Sequence, residues 1–408
     1  MNPLYLSGWD VKIKVTNIED QSELHVKDGR QPDGQELTYV FRPRQFPYNA
    51  IILETHSGYV SLQALHWLSR NNIPVFMMNY DGAIMNQILP PIPIKPDLRK
   101  AQWKTTENPK KKLGIAKALV EAKIQRSLQV LEWLGQRYNI QPEIAKAKRE
   151  AEALSKAVTV TRLRTVEGRV ALRYWEAFFK ALPKSLRFQG RMSNGHNMNA
   201  VDPVNLALNY AYGFLKCECR MAVNAVGLES GVGFLHEESA VQTRESLVYD
   251  LQEPFRWLCD LAVISAFESG KLNAQSFYFA EQDYSYHFDT QAKGKLLDVL
   301  RETFNGPVTY KGRRMTWGFL IREKAVELGR YLKGQTPTIE FNEPNFSMTR
   351  LDGKAVREKI LALAQSEAKE QGIGKSQLHY LRKKARGERS FKLYGKTKQK
   401  LSRQETTS

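Results

Sequence analysis

Cysteine is scarce: Cys217, Cys219 and Cys259 are the only three in a chain of 408 residues. That is too few for a disulfide framework. Cys217-x-Cys219 also lacks the C-x-x-C spacing and second ligand pair of a structural zinc site. Buried free thiols are the expectation. Long apolar runs are missing too: no stretch of about 18 uncharged apolar residues occurs, which argues against a membrane span. The opening MNPLYLSGWDVKIKV alternates and carries charge early, unlike a secretory leader, so cytoplasmic residence is expected. No G-x-x-x-x-G-K-[ST] phosphate loop is present, which agrees with chemistry that needs no nucleotide cofactor. Acidic residues are in deficit, 43 against 61 Lys and Arg, for a formal charge of +18. Such an excess favours a polyanionic partner, because neutralising a phosphate backbone releases its counterions.

What is present divides the chain into parts. An apolar fraction of 42% supports packed cores, and the length calls for two or three of them. Residues 1–93 read as β-rich. Short alternating runs such as DVKIKV and ELTYVF are separated by Asp28-Gly29 and Asp33-Gly34, which suit tight turns. A helix is expected from about Ser61 to Arg70, then a strand IPVFMM and a turn at Asp81-Gly82. PPIPIKP, from Pro90 to Pro96, cannot sustain a helix or inner strand and marks a boundary. Beyond it, Leu113–Tyr138 and the stretch from about Pro142 to Leu182 carry apolar residues at helical spacing, so 94–345 is expected to be a large α-helical domain. A further unit is expected at 346–395, where two helices flank Gly372-Ile373-Gly374 as in a helix-turn-helix. From Lys375 to Arg403 there are 11 Lys or Arg and one acid, Glu388. DNA contact is expected from Lys375, Tyr380, Arg382, Lys383, Lys384, Arg386 and Arg389, with 396–408 a basic, disordered tail. The fold class is α+β.

One region of this basic chain is rich in acids. In GVGFLHEESAVQTRESLVYDLQEPFRWL, Asp250 and Glu253 stand three apart next to Pro254, so both are expected near a helix start and on one face. Glu237, Glu238 and Glu245 ask nothing beyond solvation. His236 follows an apolar, glycine-containing run. It is a satisfied core histidine unless a carboxylate lies near it in space. Upstream, TVEGRVALRYWEAFF sets Glu167 beside Gly168 and Ala171, small residues that suit a close helix approach. A carboxylate buried there requires a cation or donor nearby.

VEGRVALRYWEAF, DPVNLALNYAYGFL and GFLHEESAVQTRESLVYDLQEPFR, in that order, resemble the three signature blocks of the CRISPR-associated adaptation integrase family. ILETHSGYVSLQALHWLSRNNIPVFMMNYDG resembles its N-terminal sheet block, and the likeness spans roughly residues 1–345. The resemblance implies that Glu167, His236 and Glu253 bind a divalent metal, Mn²⁺ or Mg²⁺, with Asp250 a further acid of the catalytic group. It gives Asn205 and Tyr212, in DPVN-x-x-L-N-Y-x-Y, a supporting role on DNA. The appended basic unit makes the chain similar to the casposases, integrases of casposon mobile elements. The implied activity is transfer of a 3′-hydroxyl end of element DNA onto a target phosphodiester. Double-stranded DNA and a homodimer or higher assembly, paired through the sheet domain, are the implied partners. On this branch an accessory subunit is optional and no membrane is involved. The alternatives are a spacer-inserting adaptation integrase that needs a partner subunit, a structure-selective nuclease, and a non-catalytic helix-turn-helix protein.

Overall fold

The computed structural model describes residues 2–18, 21–30, 36–191, 200–236, 245–282 and 284–342, together with Lys375, Leu378, His379 and Arg382. The chain forms two compact units, 1–344 and 345–408.

In chain order the N-terminal strands are β1 (Pro3–Ser7), β2 (Val11–Ile18), β3 (Gln21–Lys27), β4 (Thr38–Phe41), β5 (Ala50–Glu54), β6 (Gly58–Val60), β7 (Val75–Met78) and β8 (Ile84–Ile88), with α1 (Leu62–Arg70) between β6 and β7. They make two four-stranded sheets, ordered β4-β3-β2-β6 and β1-β5-β7-β8. The alternation in DVKIKV does what the pleat requires: Val11 and Ile13 are buried while Lys14 is exposed. β5 instead pairs in parallel with β1 and β7 and is buried on both faces at Ala50, Ile51 and Ile52. Leu4, Leu6, Ile13, Leu24, Val26, Ile51 and Leu53 share one core with Trp67 and Leu68 of α1. That helix starts where Ser61 Oγ accepts the Ala64 N–H at 3.1 Å.

The helical body opens with α2 (Pro96–Thr106) and α3 (Pro109–Gly135), the latter capped by Asn108. The stretch from Pro142 to Leu182, expected to be helical throughout, is broken. α4 (Gln141–Glu152) runs into a single 3-10 turn, and α5 (Val160–Ala181) restarts after an interruption at Ala157–Thr159. Thr159 Oγ1 accepts the Arg162 N–H at 3.1 Å. A β-branched hydroxyl residue there satisfies a helix start better than it continues a helix. α6 (Pro203–Val226), capped by Asp202, is buried nearly all round; α7 (Ser246–Gln252) and α8 (Arg256–Glu268) pack beside it. Two hairpins that helical periodicity does not signal follow: β9 (Phe277–Ala280) with β10 (Ser285–Phe288), then, after α9 (Thr290–Phe304), β11 (Pro307–Tyr310) with β12 (Arg313–Thr316). α10 (Trp317–Leu332) closes the body. Its Lys324 is wholly buried, donating to the Tyr310 hydroxyl at 2.9 Å and the Glu340 carbonyl at 3.0 Å. No described helix is long and apolar enough to cross a membrane.

The sheets are locked to the body by a backbone contact. The expected turn at Asp81-Gly82 forms, with Gly82 at φ 86°, and lies directly on α6. A Cβ on Gly213 would collide with the Gly82 carbonyl. Beside it, Glu54 of β5 is ion-paired with Lys293 of α9 and accepts from the Tyr5 and Tyr210 hydroxyls. In the second unit Lys375, Leu378, His379 and Arg382 are helical, with Leu378 buried. The rest of the expected helix-turn-helix, including Tyr380, Lys383, Lys384, Arg386 and Arg389, lies outside the described residues.

Gly213→Ala should therefore destabilise the protein by about 1–3 kcal/mol, the usual cost of overpacking. Denaturant unfolding measures this, and a variant as stable as the parent would mean that the β7–β8 turn can move off α6.

Candidate functional site

Three separate elements carry charge to one place. Glu167 projects from the middle of α5 and Lys123 from the middle of α3. Glu253 sits in a 3-10 turn, Glu253–Phe255, between α7 and α8. The Lys123 ammonium lies 2.5 Å from Glu167 Oε1 and 2.5 Å from Glu253 Oε2. This is the cation that a carboxylate on this face of α5 requires. It comes from a residue 44 positions away that no motif singles out. Gly168 plays no part in a helix seam, since a Cβ there would meet only open space.

Arg256, one turn beyond, places Nη1 3.3 Å from Glu253 Oε1 and its guanidinium 4.5 Å from the Tyr212 ring centre. Burial alone would raise the Glu253 pKa. Arg256 and Lys123 overcome that and pull it down to about 2. Burial opposes the charge of Lys123 as well, and the two carboxylates outweigh it, so its pKa is raised. The site is thus a charge-balanced set of two carboxylates and two cations, with Glu253 buried and Glu167, Lys123 and Arg256 half-buried.

Below it lies a second buried carboxylate. Asp260 of α8 accepts from the Tyr212 hydroxyl at 2.5 Å and the Tyr174 hydroxyl at 2.8 Å. Burial, reinforced by Asp260, raises both phenols well above their ordinary range. They act as neutral hydrogen-bond donors. These groups, with Trp175, Trp257 and Arg191, line a cavity of about 220 Å³ that Lys123, Glu167, Glu253 and Arg256 also line. Arg191 donates to Asn205 Oδ1 at 2.9 Å and Asn209 Oδ1 at 2.8 Å, and lies 5.3 Å from the Tyr212 ring centre.

His236 is set by a different device. Asp250, fully buried on α7, accepts the backbone N–H groups of Phe234 and Leu235 on Oδ2 at 2.5 and 3.0 Å. Its Oδ1 takes the His236 N–H at 2.9 Å and pairs with His236 Nδ1 at 2.8 Å. A carboxylate oxygen that already accepts the His236 backbone N–H favours the tautomer with the ring proton on Nδ1, and in that neutral tautomer Nε2 carries the lone pair. Gly233 makes the turn feasible, since a Cβ there would stand 3.0 Å from Asp250 Oδ2 and 2.8 Å from the His236 carbonyl. Arg164 of α5 braces the same turn, donating to the Leu235 carbonyl at 2.9 Å.

Asp250 and Glu253 therefore do not share a face as the i, i+3 spacing predicts. α7 ends at Gln252, and Pro254 shifts the chain into a tighter turn, so Asp250 faces the histidine turn and Glu253 faces Lys123. Asn205 presents nothing to a surface. It is wholly buried, its amide donating to the Gly190 carbonyl at 2.9 Å and to Asp202 Oδ2 at 2.6 Å. Tyr212 lines the cavity. Glu245 is more than solvated decoration, because it is ion-paired with Arg220 of α6 at 3.0 Å and takes Gln87 of β8 at 3.4 Å. Glu237 and Glu238 lie outside the described residues. The three cysteines are buried free thiols. Lys123, Arg191, Arg256 and Asp260 are site residues that sequence reasoning missed, and only the expectation of a cation near Glu167 pointed towards one of them.

Among the described residues no three His, Cys, Asp or Glu side chains are grouped closely enough to hold a metal. The donor set nonetheless fits a hard divalent ion. Two carboxylates already share one cation, with the Lys123 ammonium standing in for the metal, and the histidine is held by a carboxylate through Nδ1.

The family model for CRISPR associated protein Cas1 matches residues 47–302. A CRISPR-associated endonuclease Cas1 from Archaeoglobus fulgidus is 28% identical over 294 residues, 68% of this chain and 84% of that protein. A solved structure described as a casposase bound to integration product is 34% identical with a TM-score of 0.78, covering 89% of this chain and 99% of that one. A Cas1 protein from Thermotoga maritima, 16% identical with a TM-score of 0.63, covers 85% of this chain and all of its own, and shares the fold. With more than half its length matched by the family model, and with two sheets, a helical body and buried carboxylates to go with it, the chain belongs to the Cas1 family.

Proposed function

We propose that the protein is a divalent-metal-dependent DNA integrase of the casposase type. It would join the 3′-hydroxyl ends of element DNA to target DNA by transesterification. The observation that carries the reading is the meeting of Glu167 and Glu253 on a single cation, in a chain whose one histidine of the matched motif has its Nδ1 held by Asp250. The likeness to a casposase bound to integration product, at 34% identity over nearly the whole of that chain, supports this branch. The many relatives named CRISPR-associated support a second reading, in which the chain inserts spacers with a partner subunit. Joining by the purified chain alone separates the two.

Glu167, Glu253 and His236 would hold Mn²⁺ or Mg²⁺, carboxylates suiting both ions and imidazole favouring Mn²⁺. When bound, such an ion activates the attacking hydroxyl and balances charge at the reacting phosphorus. One phosphodiester forms as another breaks, with the target's 3′-oxygen leaving, so no nucleotide cofactor is needed. The chain's own groups do the rest. Arg256 keeps Glu253 ionised, and Asp250 is a positioning residue that fixes the histidine tautomer. Asn205 acts through Arg191, which stands at the cavity as a phosphate-sized cation site. The aromatic walls of Trp175, Tyr212 and Trp257 exclude water that would otherwise hydrolyse the bond.

End recognition is assigned to the second unit, with Lys375, Tyr380, Arg382, Lys383, Lys384, Arg386 and Arg389 on DNA as in a helix-turn-helix. Two ends need two active sites, so a homodimer or larger assembly, paired through the sheets, is part of the reading. It would work in the cytoplasm on cellular DNA.

Glu167→Ala and His236→Ala should each lower metal-dependent transfer of a labelled duplex into supercoiled plasmid by more than about a hundredfold, beyond the range of an outer partner. Duplex affinity should stay within about threefold, since neither residue supplies a phosphate contact. Loss of binding to the same extent would make both residues structural. Asp250→Asn should cost about 10–100-fold and be partly restored by raised Mn²⁺. Insensitivity to Mn²⁺ would reduce Asp250 to a packing role. Removing residues 352–408 should weaken preference for cognate ends more than joining itself. Equal loss on random and cognate DNA would argue against end recognition by that unit.

A further inference from the structure

Lys123 sits between the two carboxylates and contacts both, and its chemistry there has consequences for metal loading. A divalent Mg²⁺ or Mn²⁺ binds carboxylate oxygens at roughly 2.0–2.1 Å. The Lys123 nitrogen is 2.5 Å from an oxygen of Glu167 and 2.5 Å from an oxygen of Glu253, so the two cations would claim the same volume. They cannot both sit between these carboxylates. Charge leads to the same result. Two carboxylates with Lys123 and Arg256 are already balanced, and a dication added to that half-buried set would leave two positive charges uncompensated.

We propose that Lys123 is an internal stopper for the metal site, displaced when metal and a DNA phosphate arrive together. A lysine can do this because its ammonium is a point charge on a flexible four-carbon stem. Lys123, Arg191 and Arg256 all line the cavity of about 220 Å³, so the displaced ammonium has space beside it. A phosphate entering that space supplies the negative charge that the displaced Lys123 needs. Metal and DNA then bind with positive coupling, and by linkage each raises the other's affinity by the same factor. The chain is kept from loading metal, and from acting as an unguided nuclease, until a phosphodiester is in place. This inference rests on the proposed metal-dependent reading of the site.

The test measures metal binding itself. The full-length, metal-stripped protein is titrated with Mn²⁺, and free Mn²⁺ is followed by electron paramagnetic resonance. Each titration is done with and without a duplex whose 3′ ends are dideoxy-terminated, so that no joining occurs. For the parent chain the duplex should tighten Mn²⁺ binding at the site by about tenfold or more, a usual size for coupling between sites. Lys123→Met should bind Mn²⁺ about tenfold more tightly without DNA, with the duplex adding less than about threefold. Equal Mn²⁺ affinity in the parent and in Lys123→Met, with the same duplex effect in both, overturns the proposal. If Lys123→Met fails to fold, Lys123→Gln replaces it. If neither folds, the parent decides alone, because no gain on adding duplex also overturns the proposal. Glu253→Gln with duplex subtracts Mn²⁺ held by the DNA. If Glu253→Gln binds Mn²⁺ as well as the parent does, it is the metal reading of the site that fails.

Discussion

A buried carboxylate, Glu253, and a half-buried one, Glu167, come together from elements far apart in the chain, and the need for a cation that meets both organises the centre of this protein. Lys123 reaches from α3 to Glu167 on α5 and to Glu253 between α7 and α8, which ties three layers of the helical body to one ammonium. Arg256 supplies the second positive charge and keeps Glu253 ionised far below the usual carboxylate range. Removing Lys123 or Arg256 would leave the buried Glu253 carboxylate short of positive charge, the costly outcome for such a group. Helix positions that look ordinary in isolation are thereby constrained to meet.

A second layer of buried polar groups holds the first in place. Asp260 takes the hydroxyls of Tyr174 and Tyr212, and Tyr212 in turn lies under the Arg256 guanidinium. Asp250 collects three backbone N–H groups and one ring nitrogen, fixing a turn that would otherwise have little reason to keep its shape. Carboxylates thus do two kinds of work here. Glu167 and Glu253 face a cation at the cavity, whereas Asp250 and Asp260 are satisfied by donors and orient their neighbours. Formal charge alone does not separate the two kinds; the chemistry of the partners does.

The sheets are held rigidly to this centre. α6 carries Tyr210 and Gly213 to the β7–β8 turn and Tyr212 to the cavity, so one buried helix serves both junctions. The Gly82–Gly213 contact leaves no room for a side chain, and the Glu54–Lys293 pair adds a polar lock beside it. A movement of the sheets would therefore be felt at the site through α6.

The sequence by itself determined most of the elements and their kinds, the hairpins β9–β10 and β11–β12 inside the helical body excepted. Period-two runs specified the strands, period-3.6 runs the helices, and the proline stretch the break between them, because these patterns follow from local backbone geometry. Pattern alone left Glu167, His236 and Glu253 ambiguous, and the likeness of their three blocks to the integrase family is what singled them out. Local pattern failed where a single residue changed the backbone: Thr159 as a cap split one helix into two, and Pro254 turned Glu253 away from Asp250. Only the tertiary structure decided the partners. Lys123 sits 44 residues before Glu167 among other charged residues of a long helix, and nothing near it in sequence separates it from a solvated lysine. Its role depends on where α3, α5 and the turn at Glu253 come to rest. That is settled by packing of residues distant in the chain, and a one-dimensional pattern does not carry it.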